Sequence, residues 1–282
     1  MGEENIQLIE RIYKKASLCR AFEKSVFSRV QSNILSSPVY LSAGQEYIAS
    51  TLAVKYESLS PNQRQIFIQH RGHSIYLAFG GSIEKLIYEL LGHEGGCAFG
   101  MGGSASIQSF EANIYGHDGL MGSHGPISVG MCYANKLPTI CFAGDAAAEE
   151  DYFLASIGWA STKNLPIIFV IEDNDLSILT KKSVRRNWEM SEVAKGFRIN
   201  AFNISDDPYE ILQSLPDEIS KPLLLNINTT RLFWHSGAGI DDADSFDRHK
   251  AVAKIIGEEM ARQIDSESEF LVEEKWVKCL SH

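Results

Sequence analysis

Residues 165–173, LPIIFVIED, carry five consecutive apolar side chains from Ile167 to Ile171. A strand apolar at every position cannot leave one face in water, so it belongs in a parallel sheet covered by helices on both sides. Two more runs of this kind flank it, LPTICFAGD at 137–145 and KPLLLNINTT at 221–230. Between the first two lies AEEDYFLASIGWASTKN, with helical spacing. Strand, helix, strand in this order predicts an α/β fold, a parallel sheet flanked by helices.

The other segments fit that frame. Apolar residues at helical spacing predict a long helix over about 5–31, and SAGQEYIASTLAVKYE reads as a second with Ser42 near its start. QIFIQH is a short strand ending at His70. SIEKLIYELLG is a helix capped by Ser82 and closed by Gly92, and PISVGMCYANK is a helix with Pro126 in its first turn. DPYEILQSL is helical, and SFDRHKAVAKIIGEEMARQI closes as one helix. Residues 92–126 are glycine- and histidine-rich without periodicity, a length of loop that usually carries function. No linker or repeat stands out, so residues 1–282 read as a single domain with an N-terminal helical region.

Composition narrows the partners. Lys and Arg number 26 against 36 Asp and Glu, a net charge of −10, which argues against nucleic acid or an acidic membrane surface. Five scattered cysteines without a CxxC pair, and no stretch apolar enough to span a membrane or lead secretion, point to a reduced, cytoplasmic setting.

In an open parallel sheet ligands sit beyond the carboxyl ends of the strands. Asp145 lies past one such end and Asn174 past the next, 174 − 145 = 29 residues later. Two oxygen-bearing side chains on one sheet edge suit a hard cation such as Mg²⁺, with the Leu176 carbonyl as a third ligand. Ala146, Ala147 and Ala148 leave room for a diphosphate against the backbone. Taken singly, Asp145 reads equally as a helix cap and Asn174 as a turn residue.

This stretch resembles the thiamine-diphosphate motif, Gly-Asp-Gly followed about thirty residues later by Asn. More of the chain is similar to the α subunit of the E1 component of 2-oxoacid dehydrogenases. YLSAGQEYIAS resembles that family's Gly-Gln-Glu-Ala segment, and HRGH at 70–73 its Tyr-Arg-Gly-His. GCAFGMGGSASI resembles its glycine-rich loop, DGLMGSHGPISVG its Gly-Ile-Val-Gly segment, and TTRLFWHS its histidine loop.

The resemblance implies a thiamine-diphosphate-binding fold with residue roles. Asp145, Asn174 and Leu176 would hold Mg²⁺. Arg71, Arg231 and His70 would hold the diphosphate, beside Gly144, Ala146 and Ala147. Gly119 and Met121 would meet the aminopyrimidine, with Met121 as the prop that bends the cofactor. His235 would stand near the reacting carbon, and His124 could face the active site. His93 and His117 are expected in structural roles. The implied reaction decarboxylates a small 2-oxo acid and passes the acyl unit to a lipoyl group on an E2 protein. The activating glutamate would come from a β-type subunit, giving α2β2, since Glu46 reads as structural. Ala146, Asp173, Tyr40 and Trp234 depart from the family pattern. They keep an acyloin or two-carbon transferase, and a non-catalytic subunit, as rival readings.

Overall fold

The computed structural model describes residues 3–36, 38–237, 241 and 245–281. Helices α1 (Glu3–Gln31) and α2 (Glu46–Lys55) precede strand β1 (Gln65–Phe67). Next come α3 (His73–Ala78), α4 (Ile83–Leu90), β2 (Ile114–Tyr115), α5 (His124–Asn135), β3 (Thr139–Gly144), α6 (Asp151–Thr162) and β4 (Ile167–Asp173). A small hairpin, β5 (Leu176–Ser177) and β6 (Thr180–Lys181), leads into α7 (Lys182–Arg185) and α8 (Met190–Gly196). Then follow β7 (Asn200–Ser205), α9 (Pro208–Ser214), β8 (Leu223–Asn228), α10 (Arg248–Ile256) and α11 (Glu258–Leu280).

Six strands form one parallel sheet in the order β2-β1-β3-β4-β8-β7. Every residue of β4 is buried, as its unbroken apolar run requires. The period-two geometry of a strand sorts its side chains between two cores. Ile140, Phe142, Ile168, Val170 and Leu225 join the core beneath α1–α4. Cys141, Ala143, Ile167, Phe169, Ile171 and Leu224 join the opposite core, under α5, α6 and α8.

The first and last helices lie together. Ser17 Oγ donates to Asp265 (2.6 Å), Arg29 Nη2 to Glu273 (2.8 Å), and Nε1 of the fully buried Trp276 to Ser25 Oγ (2.8 Å). The cysteines form no disulfide, and four of the five are buried. No helix among the described residues is long and apolar enough to cross a membrane.

Four features differ from the sequence expectation. Ser42 does not cap α2: Gly44 at φ +94° intervenes, and the Ser42 hydroxyl donates to the buried Glu23 carboxylate. The closing helix is two helices, broken where Gly257 takes φ +96°. The glycine-rich loop contributes the edge strand β2. The opposite edge, β7, is NAFNIS, half exposed and too polar to declare itself by hydrophobicity. By contrast, Ser82 caps α4 through its hydroxyl, and Gly92 follows at φ +70°.

Candidate active site

The paired register of β3 and β4 decides where their first loop residues fall. Gly144 lies opposite Glu172, so Asp145 emerges level with Asp173, and Asn174 stands one step further on. Strand β1 pairs with the other side of β3, which delivers His70 and Arg71 to the same end of the sheet. Together they surround a cavity of about 510 Å³. Its lining holds most of the expected residues: His70, Arg71, Met121, Gly144, Asp145, Ala146, Ala147, Asn174, Leu176 and His235. Gly119, His124 and Arg231 are not part of that lining.

Asp145 is buried, and its carboxylate accepts from the Arg185 guanidinium. Burial, reinforced by the neighbouring charge of Asp173, pushes its carboxyl up to about 6 against the pull of Arg185. Asp173 is also buried, which alone would raise its carboxyl. Hydrogen bonds from Lys182 Nζ (2.6 Å) and Asn226 Nδ2 (3.0 Å) hold it below the usual range instead. Asn174 bridges backbone and side chain, its Oδ1 accepting from Leu176 N (3.1 Å) and its Nδ2 donating to Gln45 Oε1 (2.9 Å).

Ala146 takes φ −74° and ψ −36° at the head of a short 3-10 turn, Ala147–Glu149. That is ordinary right-handed backbone, so the methyl group that replaces the motif's second glycine costs nothing here. Ala148 is fully buried, so its small size serves the core rather than the cavity.

The imidazoles crowd the other end. His235 Nδ1 lies 2.8 Å from Arg71 Nη2, and a second Arg71 nitrogen donates to the Leu41 carbonyl (2.6 Å). Burial and then the Arg71 charge lower the His235 pKa to about 4. Burial, followed by Arg71, also holds His70 well below its usual value. The Tyr40 ring meets both imidazoles edge-on, with centroids 5.1 Å from His70 and 5.5 Å from His235. Trp234 is buried and donates through Nε1 to the Val39 carbonyl (3.2 Å), anchoring the loop beside Tyr40.

Two expected placements need correction, those of Arg231 and His124. Arg231 is committed elsewhere, with both Nε and Nη2 on Asp241 (2.8 and 2.7 Å) and Nη1 on the Ile178 carbonyl (2.9 Å). His124 lies at the start of α5, packed against Phe153, with neither ring nitrogen paired. Burial lowers its pKa to about 4. His117, expected to be structural, is equally buried and unpaired, 6.0 Å from His70 and 6.2 Å from His124 between ring centroids. His93 does have a structural role, accepting from Gly95 N (3.0 Å). Glu46 is also structural, fully buried against Arg20 (2.5 Å).

Several participants escaped the motif reading. Gln69 lines the cavity and donates to the buried Glu172, whose carboxyl burial raises to about 7. Lys182, Arg185 and Arg186 come from KKSVRRN, a segment to which the sequence pattern assigns no element. A basic run shortly after three acids, Glu172, Asp173 and Asp175, was the available signal.

Comparison with known proteins gives this geometry its context. The dehydrogenase E1 component family matches residues 14–278. The chain belongs to that family. This E1 chain is 29% identical over 248 residues to the pyruvate dehydrogenase E1 component subunit alpha-1 of Arabidopsis thaliana, covering 83% of this chain and 62% of that protein. It is 26% identical over 240 residues to the pyruvate dehydrogenase E1 component subunit alpha of Rickettsia bellii, covering 79% and 72%. A transketolase from Campylobacter jejuni superposes with a TM-score of 0.58 at 16% identity, covering all of this E1 chain and 49% of the transketolase. That likeness concerns the fold, and this chain spans about half the transketolase's length. The E1 family is the thiamine-diphosphate-dependent one that the motifs resemble.

Proposed function

We propose that this E1 chain is the α-type subunit of a thiamine-diphosphate- and Mg²⁺-dependent enzyme that decarboxylates a small 2-oxo acid and passes the acyl unit to a lipoyl acceptor. The observation that carries the reading is the convergence of Asp145, Asn174, Arg71 and His235 on one cavity at the carboxyl end of a parallel sheet.

The residues present fit the cofactor. Asp145 is a buried carboxylate already carrying a cationic group, Arg185, which stands in for a metal ion. Among the described residues no group of three or more His, Cys, Asp or Glu forms a metal cage. That suits Mg²⁺ held by one carboxylate, the Asn174 amide and the Leu176 carbonyl, with phosphate and water completing the shell. Thiamine diphosphate, when bound, supplies the electron sink for loss of CO₂. The Arg71 guanidinium, with His70, binds the diphosphate. Arg231 would reach it only by leaving Asp241, so it acts by holding Ile178 over the site. Gly144, Ala146 and Ala147 give the diphosphate a smooth wall, and Met121, with Gly119 nearby, takes the aminopyrimidine side. His235 presents its second ring nitrogen to the substrate.

A β-type partner supplies the activating glutamate, in an α2β2 assembly. The acids lining the cavity are Asp145, Glu149 and Glu150, and the first two are held by Arg185. A second reading, acyloin or two-carbon transfer, is favoured by Tyr40, which stands edge-on to both imidazoles where many family members carry a histidine.

The test is to purify the chain with its β-type partner and add thiamine diphosphate, Mg²⁺ and a panel of 2-oxo acids. CO₂ release that depends on a lipoyl acceptor is the expected result. A carbon–carbon-bonded product selects the second reading. Absence of any thermal stabilisation by the cofactor with the partner bound defeats both, because a ligand of the native state must raise Tm.

A further inference from the structure

Asp145, Glu149 and Asp173, at and just beyond the ends of β3 and β4, each carry a cation from one short segment. Arg185 pairs with Asp145 and, through Nε, with Glu149 (3.2 Å). Arg186 Nη1 reaches Glu149 (3.2 Å) and the Asp145 carbonyl (3.2 Å). Lys182 Nζ holds Asp173 (2.6 Å). The segment hangs from the β5–β6 hairpin, in which two non-glycine residues, Asp175 (φ +64°) and Ile178 (φ +55°), take left-handed backbone. Two such residues cost free energy, which surrounding contacts must offset.

We infer that Arg185 is a tethered cation that occupies the metal position on Asp145, so that a divalent ion binds only by displacing it and binds well only when a diphosphate arrives with it. The inference rests on the proposed metal role of Asp145. Its physical basis is competition for one buried carboxylate. A guanidinium–carboxylate pair out of water is stronger than its exposed counterpart, and breaking it leaves a charge to be paired again. A divalent ion alone leaves the released guanidinium only Glu149, a carboxylate it already shares with Arg186. A diphosphate supplies a new partner, and a planar fork matches its oxygens. Besides Asp145 and Glu149, Arg185 has a third contact. Its Nη1 donates to the Thr180 carbonyl (2.7 Å), which ties the side chain to its own segment, while Lys182 on Asp173 and Arg186 on the Asp145 carbonyl hold the segment in place if Arg185 leaves. Asp173 takes no part in this exchange, because Lys182 and Asn226 occupy its carboxylate.

The experiment follows Mn²⁺ binding by the loss of the free-ion paramagnetic resonance signal, using the full chain with its partner bound, first with Mn²⁺ alone and then with thiamine diphosphate added. Wild type should bind Mn²⁺ weakly alone and much more tightly with the cofactor. Arg185→Gln should tighten binding of Mn²⁺ alone by about tenfold or more, the scale of one charge-assisted hydrogen bond, and shrink the enhancement by the cofactor. Arg185→Lys keeps a cation without the fork and should fall between the two, which keeps the question answerable if the glutamine variant misfolds. Arg185→Gln with wild-type or weaker affinity for Mn²⁺ alone overturns the inference. Asp145→Asn separates the two claims. It should lose Mn²⁺ under both conditions, and if it binds as wild type does, the metal reading falls and the inference with it.

Discussion

Arg71 donates through Nη2 to Nδ1 of His235 across 2.8 Å. A guanidinium has no acceptor to offer, so Nδ1 must be the unprotonated nitrogen and the ring proton sits on Nε2. His235 therefore enters the cavity as a neutral hydrogen-bond donor. Burial and Arg71 keep it neutral down to about pH 4. The unfolded chain takes up this proton near its ordinary pKa of about 6.5, so the contribution to stability is full above that value and falls as pH drops towards 4. Nitrogen-15 NMR of the imidazoles should show the Nε2–H tautomer of His235 unchanged from pH 8 to pH 5. A signal moving to the doubly protonated form near pH 6.5 contradicts the assignment.

Ala146→Gly should not improve the site. The backbone there is right-handed, so glycine adds only unfolded-state freedom. Urea unfolding should show a loss of about 0.5–1 kcal/mol, with cofactor affinity unchanged. A gain in affinity would mean that the backbone turns over on loading.

Glu89, at the end of α4, receives four backbone N–H groups from the glycine-rich loop. They come from Ala98 (2.6 Å), Gly100 (3.0 Å), Gly102 (2.7 Å) and Gly103 (3.0 Å). Glu89→Gln turns an NH₂ towards two of these donors, at a cost of about 2–3 kcal/mol. Limited proteolysis should then cut near residues 98–103 in the variant before it cuts wild type. Equal cleavage and equal stability would show that the carboxylate does not order the loop.

Asp265 accepts from Tyr13 (3.0 Å), Ser17 (2.6 Å) and His249 (2.9 Å). Burial alone would raise its carboxyl, but these hydrogen bonds, led by His249, hold it down at about 2. Its stabilising effect is thus present above about pH 4 and lost as pH falls towards 2. Wild type should exceed Asp265→Asn in stability at pH 5, with the gap closing by pH 2.5. A gap of constant size over that range would assign the difference to packing alone.

The long apolar strands and the amphipathic helices were legible because burial on two faces leaves an unmistakable run of residues. Asp145 and Asn174 were legible as a pair because strand spacing alone brings them to one edge. The polar edge strand β7 was not, since Asn200–Ser205 buries few of its residues and carries no pattern. Nor was the commitment of Arg231 to Asp241, or of Arg185 to Asp145. A charged side chain's partner depends on where the backbone turns, and spacing says nothing of that.

The clasp between α1 and α11 bears on how the protein is made. Helix α1 packs on α2 and α3, but Ser17, Ser25 and Arg29 find their distant partners only in residues 258–280. On the ribosome α1 emerges well before α11, and the surface that Phe22 offers to Trp276 stays bare until the residues between them are made. At roughly 5–20 residues per second that wait lasts on the order of ten seconds or more. Nascent chains stalled before Trp276 should therefore be bound by chaperones that release the finished protein.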